Sequence, residues 1–255
     1  MAQEIPVLRK TAFILLSLAG MLFSANTPAG EIHIAVASNF TATMRLLAER
    51  FEKETGHVVV LLPGSTGKHF AQIMNGAPFD VFFAADVKRP KRLEAEGRII
   101  PGSRFSYAIG KLVLWSPDPE LVDRDGAVLE SGTFRRLAIA NPRLAPYGRA
   151  AQQFLESRGI LELLQPKLVR GENISQAFQF VASGNAELGL VALSQLMQSG
   201  TQPPGSRWQV PHKLHAPIEQ QAVLLSDSAA AVDFMRFAKS ESARAIIRDS
   251  GYGIP

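Results

Sequence analysis

The 255-residue sequence has no cysteine, two tryptophans, three tyrosines and no long block of charge of one sign. Without cysteine there is no disulfide, thiolate metal site, thiol nucleophile or thiol-linked lipid anchor. Glycine and proline number 20 and 16, which excludes collagen-like and low-complexity chains. Past residue 30 no run is apolar and long enough to span a bilayer, which takes roughly 20 helical residues. Lys and Arg alternate with Asp and Glu along the chain, so a net charge of +4 points to an anionic partner without making it nucleic acid. Tyr107, Tyr147 and Tyr252 are too few and too scattered for the phenolate clusters that hold ferric iron.

What is present begins with an address. Arg9 and Lys10 precede the apolar run Ala12–Phe23, and Thr27-Pro28-Ala29 offers a small-residue exit before Gly30. A basic segment, a short apolar segment and an A-x-A-like end read as a secretory signal peptide over residues 1–30. That segment holds Glu4, Arg9 and Lys10, so the net charge of the exported chain falls from +4 to +3. With no cysteine for a lipid anchor, a free periplasmic protein is expected.

From Glu31 onward β-rich runs alternate with helical stripes. His33–Ala37, Val58–Leu62, Val81–Ala84, Lys111–Trp115, Leu137–Ala140, Leu188–Leu193 and Ala222–Leu225 read as strands. Met44, Leu47, Ala48 and Phe51 recur at i, i+3, i+4 and i+7, as do Ile174, Ala177, Phe178 and Val181. Residues 229–249 read as helical with a break near Ser240, and residues 202–207 as a polar loop. The alternation predicts an α/β protein with largely parallel sheets. The strand-helix units fall into two groups, predicting one lobe from residues 31–110 plus 225–255 and another from 111–224.

The chemistry-bearing residues stand where strands give way to helices. Ser38-Asn39 follows the first strand, Ser65-Thr66 the second, Tyr147-Gly148 begins a later helix, and Glu172-Asn173 precedes the helix starting at Ile174. A helix start leaves its first N–H groups without intrahelical partners and carries about half a positive charge, which makes it an anion site. In open α/β sheets such junctions gather at the carboxyl ends of the strands, where ligands bind. Taken singly, each reads first as a cap for its own helix, and it is the recurrence at four junctions that shifts the reading toward a shared anion site.

Other patterns fail on spacing. Gly64-Ser65-Thr66-Gly67-Lys68 has two residues where a nucleotide P-loop needs four, and His69 follows the Lys. His212 and His215 lie in a Pro-flanked segment with no acidic partners, so exposed histidines are expected rather than zinc ligands. Asp80 and Asp86 are expected to cap or brace loops, and Lys88, Arg89, Lys91 and Arg92 to form a solvated helix face. Neither G-x-S-x-G nor H-E-x-x-H occurs, which argues against a secreted hydrolase.

Ile34–Phe40, Gly64–Lys68 with Ala71-Gln72-Ile73, Gly76–Asp86, Asn141-Pro142, Ala145–Gly148, Gly171–Ile174, Leu188–Ala192 and Gly251–Gly253 occur in an order that resembles the periplasmic molybdate-binding proteins of ABC transporters. The likeness spans the chain from Glu31 to its end. It implies a two-lobed type II periplasmic binding fold with the ligand cleft between the lobes, and a monomeric, non-enzymatic carrier with no cofactor. It also implies a membrane permease as partner and MoO₄²⁻ or WO₄²⁻ as ligand, held through its oxygens with no direct metal ligand. The positions matching the family's contacts are Ser38, Asn39, Ser65, Thr66, Tyr147 and Ile174, the last two through backbone N–H groups. Some members have tyrosine where this chain has Ala192, so a fifth contact is expected to be lost or moved, with the Tyr147 phenol as a candidate. Another oxyanion such as sulfate, or a small organic anion, is the alternative ligand on this fold. A transcriptional effector domain shares the fold, but it would need a helix-turn-helix and no export signal.

Overall fold

The computed structural model describes residues 29–197 and 204–255, so the expected signal peptide lies outside the described residues except for Ala29 and Gly30. The strands are β1 (Glu31–Ala37), β2 (Val58–Gly64), β3 (Val81–Ala84), β4 (Phe105–Gly110), β5 (Leu112–Ser116), β6 (Leu137–Ala140), β7 (Leu168–Gly171), β8 (Leu188–Ala192), β9 (Ser206–Gln209) and β10 (Ile218–Leu224). The helices are α1 (Thr41–Thr55), α2 (Thr66–Met74), α3 (Lys88–Ala95), α4 (Val128–Ser131), α5 (Pro146–Ser157), α6 (Leu161–Leu164), α7 (Ile174–Ala182), α8 (Leu193–Leu196), α9 (Ala229–Ala238) and α10 (Glu241–Asp249).

Two five-stranded sheets result, in the orders β2-β1-β3-β10-β4 and β7-β6-β8-β5-β9. Each has the same plan. Three strands linked through helices run parallel, and a fourth, β10 or β5, inserts antiparallel and carries an antiparallel edge strand. The sheets are therefore mixed, not largely parallel as the alternation suggested. Strands β4, β7 and β9 escape a reading based on apolar runs because they are short and carry polar residues at the sheet edges, as in Ser-Arg-Trp-Gln of β9.

The second correction concerns β10. The sequence grouping placed residues up to 224 with the second lobe, whereas β10 lies between β3 and β4 in the first sheet, with Val223 opposite Phe82. Its Ala222 and Leu224 pack with Phe83 and Tyr107 in the first core. The chain thus returns to the first sheet between β9 and β10, around residues 210–217, and crosses out of it at Gly110–Leu112. The cores separate accordingly. One holds residues from β5 to β9, including Trp115, Phe154 and Leu190, and the others lie around β1, β3, α1, α9 and α10.

Local chemistry explains the boundaries that matter. Gly56 ends α1 in the left-handed region at φ 75°, where a side chain would be strained. Ser65, Asn173, Ser228 and Ser240 accept hydrogen bonds from the first turns of α2, α7, α9 and α10 as N-caps. The break near Ser240 is the cap that starts α10.

Candidate functional site

All six residues singled out in the sequence, Ser38, Asn39, Ser65, Thr66, Tyr147 and Ile174, line one small cavity between the two sheets. Four chain junctions converge there: the turn after β1, the start of α2, the start of α5 and the start of α7. Among the described residues, its wall contains no Lys, Arg, Asp, Glu or His. The cavity is small and walled by these four junctions. That suits one compact polar guest and no extended ligand.

Each junction presents hydrogen-bond donors. Ser65 caps α2 by accepting from the Lys68 N–H at 3.3 Å, which leaves its own hydroxyl proton available. The Thr66 hydroxyl accepts from the Ala85 N–H at 3.0 Å and likewise retains a proton to give. Alpha-helix α5 has Pro146 in its first turn, and Tyr147 is therefore the first residue there with an N–H to offer. Asn173 caps α7 at the Gln176 N–H, 3.0 Å away, leaving the N–H of Ile174, in the first turn, without an intrahelical partner.

Asn39 is oriented from behind. Its side-chain Nδ2 donates to Gln220 Oε1 at 2.9 Å and to the Tyr252 hydroxyl at 3.1 Å, while the Tyr252 hydroxyl donates to the Asn39 carbonyl at 2.7 Å. Tyr107 donates to the same Gln220 oxygen at 3.0 Å. The carboxamide nitrogen is thus committed to this buried network, and Gln220, Tyr107 and Tyr252 support the site although the sequence assigns none of them a role there. Only their burial in the fold reveals them: Gln220 is 0% exposed and the two tyrosines 3% each.

The three tyrosines that look scattered in sequence meet behind the cavity. Burial pushes all three hydroxyls above the ordinary phenol range, and neighbouring tyrosines add to the effect at Tyr107 and Tyr147, so they stand as neutral phenols. The Tyr147 ring packs against Gly110 at the crossing between the sheets, and a side chain at Gly110 would overlap the phenol. Its hydroxyl lies beside the Gln220 amide and the Lys111 backbone but completes no well-formed hydrogen bond among the described residues. The phenol therefore points at the crossing and the Gln220 amide, the wrong way to replace a contact missing at Ala192. Ala192 is buried and forms no part of the cavity wall; its N–H is held by Gln195 Oε1 at 3.1 Å.

The lobes meet in a closed arrangement around the cavity. The Gly67 N–H donates to the Leu144 carbonyl at 2.8 Å, Ser175 Oγ to the Ser38 carbonyl at 3.2 Å, and Ser194 Oγ to the Asn39 carbonyl at 3.2 Å. Gly67 permits that approach, because a Cβ there would lie 2.9 Å from the Leu144 oxygen. Lys68 pairs with Glu172 at 3.0 Å across the rim, with both side chains about half exposed.

The remaining sequence candidates fall elsewhere. Asp80 accepts from the His33 N–H at 2.8 Å, and Asp86, just ahead of α3, accepts from the Arg89 N–H in its first turn, 3.1 Å away. Lys88, Lys91 and Arg92 are exposed and Arg89 is half-buried. His212 is exposed, but His215 is buried, contrary to expectation, because residues 211–217 pack onto α5 through Ser157 and Gln153. His69, on α2 directly behind Gly64, is also buried, and burial holds its pKa below the usual histidine value.

Two sheets of like order, joined by two crossings and closed over a cavity lined by helix starts, define a two-lobed α/β solute-binding fold. Comparison with known proteins agrees. The sequence pattern of the bacterial extracellular solute-binding proteins matches residues 32–253. The molybdate-binding protein ModA of Azotobacter vinelandii is 49% identical over 244 residues, 94% of this chain and 97% of that one. The protein of the same name from Rhodobacter capsulatus is 46% identical over 255 residues, 99% of each chain. The solved Azotobacter vinelandii periplasmic molybdate-binding protein superposes with a TM-score of 0.85 at 47% identity, covering 88% of this chain and 99% of that one. The chain belongs to the bacterial extracellular solute-binding protein family.

Proposed function

We propose that this protein captures molybdate, and with it tungstate, in the periplasm and delivers it to the permease of an ABC transporter, acting as a monomeric carrier without catalysis, cofactor or nucleic acid. The observation that supports this reading best is the convergence of four helix starts on a cavity whose wall carries no charged side chain. The hydroxyls of Ser38, Ser65 and Thr66 and the N–H groups of Asn39, Tyr147 and Ile174 are the proposed contacts to the oxyanion. Charge-assisted hydrogen bonds contribute roughly 1.5–3 kcal/mol each net. Several of them, held ready on packed helices, reach the approximately 8 kcal/mol of a micromolar complex. The relatives named above as molybdate-binding proteins, at 46% and 49% identity over nearly the whole chain, support the choice of ligand.

Thermal unfolding of the exported chain across molybdate, tungstate, sulfate, phosphate and chromate tests the reading. Molybdate and tungstate are expected to raise the melting temperature, and equimolar sulfate to leave it near that of the free protein. An equal shift with sulfate would reassign the protein to another oxyanion, and no shift with any of the five would overturn oxyanion binding.

A further inference from the structure

The cavity wall is uncharged, yet a groove of about 660 Å³ opens beside it and shares Ala85, Ala145 and Pro146 with that wall. The groove runs between the lobes. One bank is the start of α3, and the other is the segment leading into α5 and that helix's first turns. Five cationic side chains, Lys88, Arg89, Arg92, Arg143 and Arg149, line it against two acids, Asp86 and Glu219. Both acids are already engaged: Asp86 pairs with Arg89, and Glu219 accepts from the Ser106 hydroxyl. Arg92 pairs with Glu96. The side chains of Lys88, Arg143 and Arg149 are exposed and have no partner among the described residues. Two other large depressions among the described residues, one on the outer face of α5 that Arg143 and Arg149 also border and one between α1, α8 and α10, share no wall residue with the cavity.

We propose that this groove is the route by which the oxyanion reaches the cavity, and that Lys88, Arg143 and Arg149 accelerate its capture by electrostatic steering. The proposal rests on the oxyanion reading above. A cleft lined with one sign of charge and low-dielectric walls concentrates counter-ions and raises association rates. Because the three cations flank the cavity without entering it, they act on arrival and leave the contacts that hold the bound ion to the neutral donors. The positions on opposite lobes also fit a mouth that widens when the lobes part.

The test is stopped-flow association with sodium molybdate, followed by intrinsic fluorescence, at about 10 mM and about 1 M ionic strength set with sodium chloride. A unit charge about 10 Å from a dianion in water changes its local concentration roughly two- to threefold when screening is weak. The triple variant Lys88→Gln/Arg143→Gln/Arg149→Gln is therefore expected to associate about tenfold more slowly at low salt. Its dissociation rate should stay within twofold of the native value. At about 1 M salt, where the Debye length is about 3 Å, the two proteins should associate equally fast. A charge-matched control, Lys53→Gln/Arg124→Gln/Arg136→Gln, alters exposed cations that line no part of the groove and should behave as the native chain. Native-like association by the groove variant at low salt, or equal slowing in the control, would overturn steering through this groove. A native protein that binds no molybdate in calorimetry would instead overturn the functional reading, and steering of that ion with it.

Discussion

Replacing Thr66 by valine separates two tasks that one hydroxyl performs. Thr66 is 1% exposed and lines the cavity, and its oxygen accepts the buried Ala85 N–H at 3.0 Å, which leaves its proton free to donate to a bound oxyanion. Valine keeps the shape and the β-branch but leaves that N–H orphaned, at a cost of about 1–3 kcal/mol to the ligand-free protein. For a chain of this size that lowers the melting temperature by about 2–12 °C, at about 2–4 °C per kcal/mol. Loss of the donor to the oxyanion removes a further ~1.5–3 kcal/mol from binding, a weakening of about 10- to 150-fold. Ser65→Ala gives a different balance, because Ser65 accepts only the 3.3 Å cap bond from Lys68. It should cost the free protein less than Thr66→Val while weakening the ligand by a similar factor. Thr66→Ser restores both functions. Calorimetric titration with molybdate, beside denaturant melts without ligand, reads the two effects independently. Native affinity in Thr66→Val, or a Thr66→Ser variant as defective as valine, would refute this division of labour.

Ile174→Pro removes one backbone donor at a position where helices accept proline, since Asn173 before it is extended at φ −141° and ψ 176°. Molybdate affinity should fall about tenfold or more with helix content by circular dichroism unchanged, and Ile174→Val, which keeps the N–H, should bind within a few fold of native. Tyr147→Phe should bind molybdate within about twofold of native in calorimetry, because the phenol faces the Gly110 crossing and the cavity is offered the backbone of residue 147. Burial lowers the folded pKa of His69 and of His215 below the unfolded value of 6.5. Their contribution is therefore complete above about pH 6.5 and is lost as pH falls through the folded values, where the unfolded chain binds more protons. Stability measured by urea melts should decline below pH 6.5, and less steeply in His69→Gln.

The sequence exposes the elements that combine a strong period with a strong stop. Helix α1 is legible from Met44, Leu47, Ala48 and Phe51 and from Gly56, and β1, β3 and β6 from continuous apolar runs between polar junctions. The junction residues are legible for the same reason: a strand followed at once by a capped helix puts hydroxyl and amide groups where backbone donors are free. Pairing partners are not legible. Whether β10 joins the first or the second sheet depends on Val223 meeting Phe82 and on Tyr107 packing under Ala222, contacts more than 100 residues apart. The same holds for Gln220 and Tyr252, whose role behind Asn39 exists only after the C-terminal segment has returned to Ile109 through the Gly253 pairing. His215 looked exposed because proline-flanked segments usually lie outside; packing on α5 overrode that.

Closure itself can be weighed from the contacts across the cleft. The Gly67–Leu144, Ser175–Ser38 and Ser194–Asn39 bonds contribute about 0.5–1.5 kcal/mol each net. The half-exposed Lys68–Glu172 pair adds about 0–1 kcal/mol. These terms are opposed by the ordering of the side chains that make them, so by themselves they do not hold the lobes shut. A ligand shifts the balance of open and closed forms only through contacts that exist in the closed form alone. In the proposed site the donors of the first lobe, Ser38, Asn39, Ser65 and Thr66, hold the ion whether or not the cleft is shut. Only the N–H groups of Tyr147 and Ile174 are gained on closure. Two such bonds supply about 3–6 kcal/mol, close to the ~5.5 kcal/mol that carries a population from 1:99 to 99:1. Thr66→Val should accordingly bind more weakly yet close fully once saturated, whereas Ile174→Pro, having lost one of the two closing bonds, should leave a saturated complex that is measurably more open by small-angle scattering. Identical scattering from the two saturated variants would mean that closure is driven by the lobes themselves and not by the second pair of donors.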